Sequence, residues 1–122
     1  MTTPSIPDPV RQTLQQQPDL AFAVLVVSRA TGTRRPGSDW DIALQWAPTV
    51  DAHSALGATE TLRRQLAHAL QQSATAVDLI DLRRANLAMR ASVAEEGQAL
   101  HIANDLSWAQ FLERSLARTG AV

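Results

Sequence analysis

Two aspartates, Asp39 and Asp41, stand two apart at the start of an alternating segment, DWDIALQW, residues 39–46. On a strand, residues i and i+2 project from one face, so both carboxylates point the same way. Like charges held that close raise each other's pKa unless a counter-charge is near. A divalent cation supplies one. Mg²⁺ takes a few carboxylates and keeps positions for water and substrate phosphates. Such ions can stabilise both the attacking and the leaving oxygen of an in-line displacement at phosphorus. The same D-x-D also serves as turn chemistry, because Asp hydrogen-bonds its own backbone.

A third carboxylate from a neighbouring strand would complete a metal site. Asp78 and Asp81 both lie in AVDLIDL, residues 76–82. They are three apart, so a regular strand puts them on opposite sides and only one can join Asp39 and Asp41. Asp78 stands between Val77 and Leu79, where a charge is expensive unless used. Asp81 lies beside Arg83 and Arg84, where an ordinary surface ion pair would satisfy it. Asp78 is therefore the preferred third acid, with Asp81 as the alternative.

The elements that must position these acids can be read from periodicity. Residues 1–7 are expected to be loose. Asp8 and Pro9 fit an N-cap and a first helical position, with a short helix over Val10 to Gln17 ended by Pro18 and Asp19. Leu20 to Ser28 is apolar and rich in valine, which favours a buried strand. Residues 29–38, RATGTRRPGS, read as a loop. In the 39–46 strand, Trp40, Ile42 and Leu44 face the core, while Asp39, Asp41 and Ala43 lie on a face expected to be open. Trp46 is expected to be partly exposed.

Thr59 to Gln72 carries Leu62, Leu66 and Leu70 at helical spacing, with Arg63 and Arg64 on its wet face. Ala76 to Leu82 is a third strand. Ala85 to Glu96 is a helix that Gly97 stops. Ala99 to Ala103 is a fourth strand. Asn104 or Asp105 caps a last helix, whose Trp108, Phe111, Leu112 and Leu116 form an apolar stripe read as core. The order is helix, strand, strand, helix, strand, helix, strand, helix. About ten residues join the first two strands, too few for a helical crossover, so they are expected to be antiparallel. The fold class is α/β: a small mixed sheet packed with helices, in one domain over residues 1–122.

Composition narrows the function. The chain has 122 residues, a formal net charge of −1 and 45% apolar residues, so it can bury a core and lacks the basic excess of a nucleic-acid binder. All eleven basic residues are arginine, a residue suited to phosphate by its planar fork. With no cysteine, disulfides, thiolate zinc sites and a cysteine nucleophile are excluded. The first residues, MTTPSIPDPV, do not read as a secretory signal, and the run from Leu20 to Val27 is too short to span a bilayer. A cytoplasmic location without membrane contact is expected. His53, His68 and His101 show no ligand spacing. Arg34 and Arg35 read as solvated loop residues, with contact to phosphate or a partner as their functional alternative.

The stretch LVVSRATGTRRPGSDWDIAL resembles the signature of the DNA polymerase beta-like nucleotidyltransferases, and in particular the minimal nucleotidyltransferase (MNT) antitoxins paired with HEPN-domain toxins. Their pattern is Gly-Ser, ten residues, then Asp-x-Asp. Here Ser28 is followed by ten residues and then Asp39, Trp40 and Asp41. The segments AVDLIDLRRA and EEGQALHIA resemble the strand carrying the third acid and the helix and strand that close the domain, so the similarity spans residues 20–103.

The resemblance implies that Asp39, Asp41 and Asp78 hold Mg²⁺ with ATP, and that Asp78 helps deprotonate the attacking hydroxyl. It implies that Ser28 holds the triphosphate; Arg29 could add charge there. It further implies a HEPN-domain toxin as partner and a tyrosine hydroxyl on that toxin as the acceptor of AMP. One departure stands out: the family's glycine before the serine is Val27 here, a stiff residue that disfavours positive φ. That departure motivates an alternative, a degenerate member that neutralises its toxin by binding alone. A transferase acting on a small molecule or an RNA end is a third reading, disfavoured because no second domain is available to cradle such an acceptor.

Overall fold

The computed structural model describes residues 6–26 and 40–117. Its elements are α1 (Asp8–Gln15), β1 (Leu20–Leu25), β2 (Trp40–Trp46), α2 (Ala52–Ala69), a 3₁₀ turn (Ala74–Ala76), β3 (Val77–Asp81), α3 (Leu87–Glu96), β4 (Gln98–Ile102) and α4 (Asp105–Ala117). Apart from the short 3₁₀ turn, this is the order expected from periodicity.

The four strands form one mixed sheet in the order β3-β2-β1-β4. β1 is antiparallel to both β2 and β4, while β2 and β3 run parallel. The parallel pair requires a crossover, which α2 supplies, whereas residues 26–39 need only reverse the chain. β1 is central and buried along its whole length, which explains why LAFAVL is continuously apolar rather than alternating.

Both faces of the sheet carry helices. On one face, Val10 and Leu14 of α1 and Leu62 and Leu66 of α2 pack against Ile42, Leu44 and Trp46. On the other, Val93 of α3 and Phe111 of α4 pack against Phe22, Val24, Ala43 and Leu82. The expected open face of β2 is thus corrected: Ala43 is wholly buried, because α3 and α4 cover that side. Trp108 and Phe111 extend this second core, with Phe22 meeting Trp108 edge-on at 5.0 Å between centroids. Ile6 packs against the first core.

Several boundaries moved for local reasons. Pro7 is the N-cap of α1, and Asp8 lies in its first turn, where its charge complements the helix dipole. α2 starts seven residues earlier than its leucine spacing suggests. Asp51 caps it by accepting the Ser54 N–H at 2.7 Å, ahead of the first core leucine. The same helix ends in a Schellman-type turn. The Gln72 N–H reaches the Ala67 carbonyl, and Gln71 takes a positive φ of 57°. Asn86 caps α3, and Asn104 caps α4 by accepting the Ser107 N–H at 2.9 Å. Trp46, expected to be partly exposed, is only 3% exposed, and its indole N–H donates to the Thr59 hydroxyl at 3.0 Å.

Gly97 follows α3 in an extended conformation (φ −71°, ψ 153°) rather than as a left-handed stop. Its small size answers a close approach. A Cβ there would lie 2.4 Å from a Val24 methyl and 2.5 Å from the Val93 carbonyl oxygen.

Candidate active site

The parallel register of β2 and β3 sets Asp41 directly beside Asp78. Neighbouring strands lie about 4.8 Å apart, and in-register neighbours project to the same side. That side is the one shared by Ala43, Ile80 and Leu82, so the two acids sit at one end of the face that α3 and α4 cover further along. Both residues are half-buried. Asp81 pairs instead with Leu44 and belongs to the opposite face. There its carboxylate accepts the Arg83 N–H at 3.0 Å and lies 4.0 Å from the Arg83 guanidinium. The choice between Asp78 and Asp81, open from the sequence, is therefore a matter of register: Asp78 alone of the two shares a face with Asp41.

The chain leaves β1 at Val26, whose N–H donates to the Asp41 carbonyl at 2.8 Å, and re-enters the described structure at Trp40. Asp39, Ser28, Arg29, Arg34, Arg35 and Val27 lie outside the described residues. Among the described residues, no group of three or more His, Asp or Glu side chains could hold a metal ion. Asp41 and Asp78 are hard oxygen donors of the type Mg²⁺ prefers, and their shared side fits two members of such a set. His53 and His68 are exposed, and His101 is half-buried on β4, where burial lowers its pKa.

Arg63 departs from its expected place on a wet helix face. It is half-buried, forks onto Glu60 at 2.7 and 3.1 Å, and donates to the Ala74 carbonyl at 2.7 Å. It therefore ties α2 to the turn that leads into β3. The Glu60 hydrogen bond raises its pKa first, and the field of Asp78 adds to that. Glu60 is held below its usual range by the Arg63 and Arg64 hydrogen bonds. Glu60 with Arg63 and Arg64 at i+3 and i+4 is a spacing visible in the sequence. The Ala74 contact is not, because it depends on how the crossover packs.

A groove of about 500 Å³ runs along the outer side of β3. Leu56, Thr59 and Glu60 of α2 form one wall, and residues 78–81 of β3, both Asp78 and Asp81 among them, line the rest with Arg84 and Ala85. Asp78 thus neighbours Asp41 within the sheet and also borders this groove.

A polymerase beta nucleotidyltransferase family model matches residues 9–106. The chain belongs to that family. It is also similar in structure to several toxin–antitoxin complexes. A chain of the MntA–HepT toxin–antitoxin is 25% identical, with 93% of this chain and 83% of that one covered and a TM-score of 0.63. A toxin–antitoxin with AMP-PNP gives 27% identity, 93% and 86% coverage and a TM-score of 0.63. A tri-AMPylated Shewanella oneidensis HEPN toxin in complex with MNT antitoxin gives 25% identity, 93% and 82% coverage and a TM-score of 0.63. No curated protein matches the chain. The nucleotidyltransferase fold and the likeness to MNT antitoxins agree with what the residues around Ser28 and Asp39 imply. No helix among the described residues is long and apolar enough to cross a membrane.

Proposed function

We propose that this nucleotidyltransferase is an antitoxin that moves AMP from ATP to a tyrosine hydroxyl of a partner HEPN-domain toxin. The observation that carries the reading is the Asp41–Asp78 pair, two carboxylates in register on one side of parallel strands. The similar complexes, one with AMP-PNP and one with a tri-AMPylated toxin, support both the nucleotide and the partner.

In this reading Asp39, two positions before Asp41 in the sequence, joins Asp41 and Asp78 as a carboxylate set for Mg²⁺. When bound, Mg²⁺ would neutralise phosphate charge and polarise the α-phosphorus. Asp78, on the outer strand, accepts the proton of the attacking hydroxyl. The hydroxyl oxygen forms a bond to the α-phosphorus, the bond from that phosphorus to the bridging oxygen breaks, and pyrophosphate leaves. Ser28 offers its hydroxyl and amide to the triphosphate, and Arg29 adds a charge-assisted contact. The field of Arg63, near Asp78, offsets part of the cost of two neighbouring carboxylates.

Val27 favours one further reading. A β-branched residue where the family has glycine hinders close backbone approach to a phosphate. A member of this kind could neutralise its toxin by contact alone. The test is the intact mass of the cognate HEPN-domain protein after incubation with this chain, ATP and Mg²⁺. A parallel reaction uses the Asp39→Asn, Asp41→Asn double variant. A gain of one or more AMP units, lost in the variant, supports transfer. A stable complex with no gain in mass supports neutralisation by contact.

A further inference from the structure

The two neighbouring acids are closed on most sides. β1 flanks β2, with the Val26 N–H bonded to the Asp41 carbonyl. Further along the same face, Ala43 and Leu82 are wholly buried under α3 and α4. Among the described residues, the open lateral direction is outward past Asp78, across β3, whose described strand neighbour is β2 on one side only. The groove of about 500 Å³ lies there, a size in the range of ligand sites and ample for a tyrosine side chain with its flanking residues.

The backbone on that edge is suited to a polypeptide. The Leu82 N–H bonds to the Leu44 carbonyl, so its amide faces β2. In a parallel ladder successive residues alternate in direction. Ile80 and Asp78 therefore face β2, and the Leu79 N–H and carbonyl face the groove. An extended segment can pair with them as an added strand. Beside this edge, Leu56 is an apolar side chain 53% exposed on α2, and Arg84 also lines the groove.

Among the described residues, Arg84 is the one cation that lines the groove, too few for a phosphodiester occupant needing several contacts to Lys or Arg. Arg63 and Arg64 are held by Glu60, and Arg83 donates to the Val50 carbonyl at 2.9 Å.

We propose that the acceptor polypeptide docks as an extended strand on the outer edge of β3, pairing with Leu79 and contacting Leu56 and Arg84. This rests on the transferase reading above and assigns its acceptor site. The residue of the added strand opposite Asp78 shares its side of the sheet, so a hydroxyl there lies beside the carboxylate that would take its proton.

The test uses the full chain with its cognate HEPN-domain protein. Amide exchange at Leu79 is followed with and without that protein, and the KM for the acceptor is measured for Leu56→Arg and Arg84→Glu. Slower Leu79 exchange in the complex is expected, with an acceptor KM raised about tenfold and the KM for ATP unchanged. Unaltered Leu79 exchange, together with unaltered acceptor KM in both variants, would overturn the docking surface while leaving AMP transfer intact. Protection of Leu79 without any AMP transfer would retain the surface and remove the transferase reading instead.

Discussion

Asp41 and Asp78 are separated by 37 residues of sequence and joined by a single register position. Two carboxylates on adjacent strands repel each other, and such an arrangement persists where neighbouring charge or a ligand offsets the cost. Asp78 stands out in the sequence as a charge among apolar residues, and the register that sets it beside Asp41, while Asp81 pairs with Leu44, becomes legible only in the strand alignment. Arg63 was less legible, since its bond to the Ala74 carbonyl joins elements 11 residues apart. At Val27, a glycine would restore the residue the family has there and remove a stiff β-branched side chain from the phosphate's approach: Val27→Gly should tighten ATP binding by about fivefold in a calorimetric titration. His101 gives a pH prediction. Burial lowers its folded pKa below the ordinary histidine value of 6.5, so the unfolded chain binds the proton more readily. The stability this group contributes is full above pH 6.5 and is lost as pH falls from there through the folded pKa. His101→Gln should therefore show a smaller drop in urea midpoint than the parent between about pH 7.5 and about pH 5.

Elements were read well where periodicity is strong and less well at their ends. The four strands and four helices appear in the expected order, because each carries a clear period or a run buried on both faces. The start of α2 was missed because its first two turns, with His53, Ser54 and Gly57, contribute little to the apolar stripe; the Asp51 cap is the signal that marks it. Caps and close approaches are where single substitutions should register. Gly97→Ala forces a Cβ against Val24 and the Val93 carbonyl, and should cost about 2 kcal/mol in denaturant unfolding. Gln71 holds the left-handed position that ends α2, where glycine pays no steric penalty. Gln71→Gly should therefore raise stability by about 0.5–1 kcal/mol, seen as a higher melting temperature.

At the scale of the molecule, the arrangement follows from one sheet covered on both faces. The antiparallel first pair agrees with the short connection expected from the sequence, and the parallel pair of β2 and β3 is joined by α2. The covering of the second face was not foreseen. Ala43 alternates with aspartates and looks solvent-facing in sequence, yet α3 and α4 come from residues more than 40 positions away to bury it. That cover leaves the two acids at the end of the face, beside the outer strand. In the proposed function, AMP transfer occurs on the Asp41–Asp78 side of the sheet. The most direct measurement is the rate of AMP transfer to the cognate HEPN-domain protein by Asp78→Asn and Asp81→Asn, compared with the parent in the presence of ATP and Mg²⁺. Loss of about a hundredfold or more for Asp78→Asn, with Asp81→Asn within about threefold of the parent, is the expected result. Equal activity of the two variants, or a greater loss in Asp81→Asn, would contradict it.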